Sequence, residues 1–120
     1  SPPLDTSISE LCDDEGQGNE CNCGAINALD LTPHTTLSNV FPSHFNCALD
    51  GWDTSHVTDM SEMFLGVSAF NQPVGFDTSG VTSLRSMFSA ASAFNQAVDW
   101  DTSQVKDMSY VFDGASEFNQ

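Results

Sequence analysis

The sequence predicts an α/β repeat: a solenoid of 24-residue coils, each a short strand followed by a short helix, behind an N-terminal cap held by disulfides. Three observations carry the prediction. An aromatic residue before "DTS" recurs at Trp52, Phe76 and Trp100 without slippage. Apolar identity persists in fixed columns while the polar positions between them vary. All four cysteines precede the regular copies.

Four copies are legible. The regular ones span 52–75, 76–99 and 100–120, and a worn one spans 29–51, where "LDLTPHTTLSNVF" aligns with "FDTSGVTSLRSMF" and "FNCALDGW" with "FNQAVDW" plus one residue. Residues 1–28 form a cysteine-rich leader that reads as the cap. Phe64, Phe88 and Phe112 share one column, and Phe70, Phe94 and Phe118 another. With the columns Val57/Val81/Val105, Met60/Leu84/Met108 and Met63/Met87/Val111, they are the expected stacking core.

Within one copy, Val98, Trp100 and Thr102 alternate with polar neighbours, as a half-buried strand does. Val105, Met108 and Phe112 then fall at i, i+3 and i+7, the helical spacing. Thr102 or Ser103 can cap that helix, and Gly66 or Gly114 can end it.

Two polar columns are candidate ladders. Asn71, Asn95 and Asn119, each followed by Gln, are placed to bond turn backbone from one copy to the next, where water cannot reach. Asp53, Asp77 and Asp101, with Asp30 in the worn copy, would repel one another unless each accepts N–H bonds at its own helix start. Calcium between Asp53, Asp77 and Asp101 is the less favoured alternative. No EF-hand spacing occurs, and "CDDEGQGNEC" lacks D-x-D-x-D-G. The Thr54, Thr78, Thr102 column offers a single row for an ice-binding face, and that is set aside as too short.

Cys12, Cys21, Cys23 and Cys47 suit two disulfides in an oxidising compartment. A Cys21–Cys23 bridge would close a very tight ring, so one of this pair is expected to join Cys12 and the other Cys47. The rival, a zinc site completed by His34 or His44, lacks the usual C-x2–4-C knuckle.

Composition narrows function by exclusion. Seventeen Asp and Glu face two cations, Arg85 and Lys106, for a formal charge of −15. Such a surface repels phosphate backbones and anionic membrane surfaces, and no run approaches about 18 apolar residues, so neither nucleic-acid binding nor membrane insertion is expected. A hydrophobic content of 39% still provides a core, so the acidity does not predict disorder. No glycine-rich phosphate loop, HExxH or Ser–His pairing appears, and the carboxylates sit in columns that suit capping; no enzyme is expected. "SPPLDTSIS" reads as an extended, flexible lead with two prolines. The start at Ser1 without Met reads as a processed or excerpted chain.

The phrase "WDTSHVTDMSEMFLGVSAFNQ" closely resembles the repeat of a bacterial-type surface-protein family. That family is known as a domain of unknown function in mycoplasma lipoproteins and as a repeat of about 26 residues in Gram-positive surface proteins, often grouped with BspA-like leucine-rich repeats. The resemblance covers 52–120 well, 29–51 weakly and 1–28 not at all. It departs in its shorter spacing and its cysteine-rich leader. It implies a leucine-rich-repeat-like solenoid on extracellular or cell-surface proteins, with no known catalytic residues and no cofactor.

Two functions then compete. One is an extracellular structural subunit that stacks head-to-tail on copies of itself into a surface fibre, because the copy at 100–120 closes on "FNQ" with no polar cap. The other is an adhesive module of a larger surface protein, binding glycans or other surface proteins. The 25 Ser and Thr are candidate O-glycosylation sites, though turn and cap roles account for them as well.

Overall fold

Leu4, Ile8 and Cys12 recur every fourth residue, and in a computed structural model of the chain, which describes residues 4–12 and 21–120, all three are buried on helix α1 (Leu4–Cys12). That spacing puts them on one face. The lead "SPPLDTSIS" is therefore helical from Leu4 onward rather than extended; Ser1–Pro3 lie outside the described residues, as does most of "CDDEGQGNEC".

A second helix, α2 (Cys23–Asn27), is capped by the Asn22 side chain, which accepts the Ala25 N–H at 3.1 Å. The Asn22 N–H donates to the Leu11 carbonyl at 2.7 Å and ties α2 to α1. Asn27 fastens α2 to the following chain: its Nδ2 donates to the Ala48 carbonyl at 2.8 Å, and its Oδ1 accepts the Gly51 N–H at 2.8 Å. Trp52 Nε1 donates to the Ile26 carbonyl at 2.8 Å.

The α/β leucine-rich-repeat-like solenoid is not what the rest of the chain forms. Residues 28–120 contain no helix and no strand; they are turns and loops joined by three isolated parallel bridges, Thr36–Asp59, Asp59–Ser83 and Ser83–Asp107. The body is compact and loop-built, with both helices in the leader.

The local geometry explains why the periodicity misled. Glu62 and Gly66, Ser86 and Ala90, and Tyr110 and Gly114 all take positive φ, between 55° and 75°. A left-handed residue at every fourth position breaks any right-handed helix. Successive β-turns form instead, closed by bonds such as Met63 N–H to Met60 O, Val67 N–H to Phe64 O and Phe70 N–H to Val67 O. Consecutive turns return a side chain to the core every three or four residues, which copies the helical spacing. The expected strand fails for another reason. The Thr54 and Thr78 hydroxyls, both buried, take up the backbone of Asp77 and Asp101, so no backbone ladder runs there.

The core is largely aromatic. Phe64 lies 5.2 Å from Phe88, which lies 5.7 Å from Phe112, with rings within 5° of parallel. Phe70, Phe94 and Phe118 follow at 6.0 and 5.9 Å. Within each segment the two rings meet at about the same separation, for example 4.1 Å for Phe64 and Phe70. None of the helices is long and apolar enough to cross a membrane among the described residues.

Candidate functional site

Alternate N–H groups point out of each turn-rich segment toward the next. Met60, Glu62, Phe64 and Gly66 donate to the carbonyls of Ser83, Arg85, Met87 and Ser89 at 2.8–3.0 Å. Leu84, Ser86, Phe88 and Ala90 donate in the same way to Asp107, Ser109, Val111 and Asp113 at 2.7–2.9 Å. The left-handed residues make this possible, since they turn successive N–H groups to one side.

In segment 100–120 the same row of donors, Met108, Tyr110, Phe112 and Gly114, meets no acceptor among the described residues. Around it the core is open. Met108 is 52% exposed and Tyr110 60%, whereas Met60 and Leu84, in the column of Met108, are fully buried. Phe112 and Phe118 are half-buried, whereas Phe64, Phe70, Phe88 and Phe94 are sealed. This face combines apolar surface with unpaired donors and is the candidate interaction site. Arg85 rims it, 3.6 Å from Asp107 and 5.1 Å from the Tyr110 ring centre.

The Asn column forms a surface chain of hydrogen bonds rather than a buried ladder. Asn71 N–H donates to Asn46 Oδ1 at 2.9 Å, Asn95 N–H to Asn71 Oδ1 at 2.9 Å, and Asn119 N–H to Asn95 Oδ1 at 3.0 Å. Gln72, Gln96 and Gln120 each donate to the same carboxamide oxygens. Sequence reasoning missed Asn46 as the first rung, although "FNC" in the worn copy aligns with "FNQ".

The Asp column caps turns, not helices. Asp30, Asp53, Asp77 and Asp101 each accept the N–H two residues on at 3.0 Å. Hydrogen bonds from Ser55, Ser79 and Ser103, side chain first and then backbone, hold the Asp53, Asp77 and Asp101 carboxyls below their ordinary range. Asp77 also feels the like charges of Asp53 and Asp101, which act in the opposite sense. A second acidic column escaped notice: Asp59 and Asp107 accept the N–H of Ser61 and Ser109. Its signal was present in "VTDMS" and "VKDMS".

Disulfides join Cys12 to Cys21 and Cys23 to Cys47. His44, named with His34 for the zinc alternative, lies beside the first, with Nε2 3.3 Å from the Cys12 carbonyl. Cys12, Cys21 and His44 are the group of potential metal ligands found among the described residues, but both sulfurs are consumed by the disulfide, and a thiolate is what a metal would need. Asp53, Asp77 and Asp101 form no such group there. A separate cavity of about 360 Å³ is lined by Asp50, Trp52, Pro73, Gly75 and Phe76, at the position of the extra residue in the worn copy.

No curated protein and no solved structure matches this chain. Two disulfides and the family match together are compatible with an extracellular or surface location. That match begins inside the leader, where the repeated phrase itself carried no resemblance. Residues 13–120 match the family described as "Mycoplasma protein of unknown function, DUF285", and the chain belongs to that family.

Proposed function

We propose that this chain is a structural protein of the cell surface or extracellular space that associates with further copies of itself. The observation that carries the reading is that segments of this pattern bind one another edge to edge through backbone: the alternate N–H donors at Met60–Gly66 and at Leu84–Ala90 each meet carbonyls of the neighbouring segment. Backbone donors next to apolar surface are best met by backbone acceptors from another protein segment, the chemistry of edge addition. The closer grouping with BspA-like surface proteins rests on the "WDTS…FNQ" phrase and favours the same location. No catalytic role is proposed.

Sedimentation velocity of the 120-residue chain across a concentration series tests this, with negative-stain microscopy of the associated material. Association should strengthen with salt, because copies of charge −15 repel and screening shortens the Debye length to about 3 Å at 1 M. A species of 12.9 kDa that persists at high concentration and high salt would reject the reading.

The cavity at Asp50, Trp52 and Phe76 supports a second reading, an adhesive module with a small glycan as ligand, since an aromatic wall with one carboxylate suits a sugar ring. Trp52 fluorescence during titration with monosaccharides reports on it; an unchanged spectrum would reject this reading.

A further inference from the structure

Turn capping by aspartate has an exception where the worn copy carries its extra residue. Asp30, Asp53, Asp59, Asp77, Asp101 and Asp107 each accept the N–H two residues on. At Asp50 that N–H belongs to Trp52 and donates to the Leu49 carbonyl instead. The Asp50 carboxylate is exposed and meets neither a donor nor a cation among the described residues. Two residues, Asp50 and Gly51, separate Leu49 from Trp52, where Gly75 alone separates Val74 from Phe76 and Asp99 alone separates Val98 from Trp100. The surplus residue makes a turn that α2 holds in place: Asn27 Oδ1 accepts the Gly51 N–H at 2.8 Å, and the Ile26 carbonyl accepts Trp52 Nε1 at 2.8 Å.

We infer that the cavity of about 360 Å³ beside this turn selects amino sugars, with a protonated amine on the Asp50 carboxylate and the apolar C–H face of the ring against Trp52 and Phe76. This rests on the glycan reading of the same cavity and names which sugars it takes. The volume lies at the lower end of the range for small-ligand sites, about 300–1,000 Å³. Leu49, Trp52, Pro73 and Phe76 make its walls apolar. Because the indole N–H is already bonded to Ile26, Trp52 offers ring carbon and no donor. The Ala48 carbonyl is likewise taken, by Asn27 Nδ2. Asp50 is the charged group of the lining, and neither Arg85 nor Lys106 reaches it. A lone carboxylate over an apolar wall favours a cationic donor on a compact body, through a charge-assisted hydrogen bond. In a chain of charge −15 the wider field acts in the same sense, drawing in an ammonium and repelling a sugar acid. The turn is already pinned, so binding does not have to order it.

The test titrates the nitrogen-15-labelled 120-residue chain with glucosamine, N-acetylglucosamine, glucose and glucuronate, read at the Trp52 indole and the Gly51 and Gly75 amides. Glucosamine should shift these signals and bind about 5-fold more tightly than glucose or N-acetylglucosamine, the most that an exposed ion pair adds. Glucuronate should bind least, and added salt should narrow the differences. Asp50→Asn should remove the preference for the amine while glucose binding stays. Gly75→Leu should block every sugar with an unchanged unfolding midpoint, because a Cβ at Gly75 meets nothing within 4 Å and Gly75 lines the cavity. Glucose binding as tightly as glucosamine would overturn the inference and leave the glycan reading standing. Nα-acetyl-lysine amide binding as tightly as glucosamine would make the ligand a peptide amine and overturn it as well. A folded Gly75→Leu chain that still binds glucosamine would place the ligand elsewhere and overturn it. Signals that no sugar shifts would remove the glycan reading and the inference together.

Discussion

The Thr54 hydroxyl lies between the two backbone groups of Asp77, accepting its N–H at 3.0 Å and donating to its carbonyl at 3.1 Å. One side chain, buried to 1% exposure, thus does what a strand neighbour would do. Thr54→Val keeps the shape and removes both bonds, leaving a buried donor and acceptor unpaired. The expected cost is about 1–3 kcal/mol in denaturant unfolding. Thr54→Ser should recover most of it.

The left-handed positions divide into favourable and costly residues. Ala90 holds φ at 59°, whereas Gly66 in the same column holds 73° with open space around it. Ala90→Gly should therefore stabilise the fold by about 0.5–1 kcal/mol, after the extra unfolded-state freedom of glycine is counted. Gly66→Ala should lose about 1 kcal/mol from backbone strain alone. Paired thermal unfolding curves check both signs.

Gly51 is constrained by space rather than by φ. A Cβ there would lie 2.9 Å from both Asn27 Cβ and the Asn27 carbonyl oxygen, while its N–H already bonds to Asn27 Oδ1. Gly51→Ala must push α2 away from residues 48–52, at about 1–3 kcal/mol. Loss of the Trp52 Nε1 bond to Ile26 would accompany it, visible as a red shift in tryptophan emission.

The turn-capping aspartates set the acid response. Their folded-state pKa values lie below the ordinary 3.8, so their contribution is fully present above about pH 4 and is lost as pH falls through the folded values. Carbon-13 carboxyl titration should place Asp53, Asp77 and Asp101 below 3.8. Ser79→Ala removes the largest cause at Asp77 and should move its midpoint upward, with Asp53 and Asp101 little changed.

The Cys23–Cys47 bridge ties α2 to the first turn-rich segment across 24 residues. Replacing both cysteines with serine should cost about 3 kcal/mol, as expected for a loop of that length. Unfolding in denaturant without reductant measures it.

Much of this was legible in the sequence, because a recurring residue in a fixed column states which positions share an environment. The Phe columns, the Asn column and the need for a cysteine-bound leader could all be read from spacing and residue type. So could the two candidate disulfide partners of Cys12, although only the folded chain selects Cys21. Periodicity reports how often a side chain returns to the core, and consecutive turns with left-handed residues at Glu62 and Gly66 return it as often as a helix does. Positive φ at Glu62 and Ser86 is not written in those residue types; it accompanies N–H bonds to chain about 23 residues away. Composition and columns alone therefore determined what is charged, what recurs and which positions share an environment from copy to copy. Tertiary structure decided that turns replace the helix, that a threonine hydroxyl replaces a strand pair, and that alternate N–H groups of one segment meet carbonyls of the next, because each depends on which backbone groups meet across space.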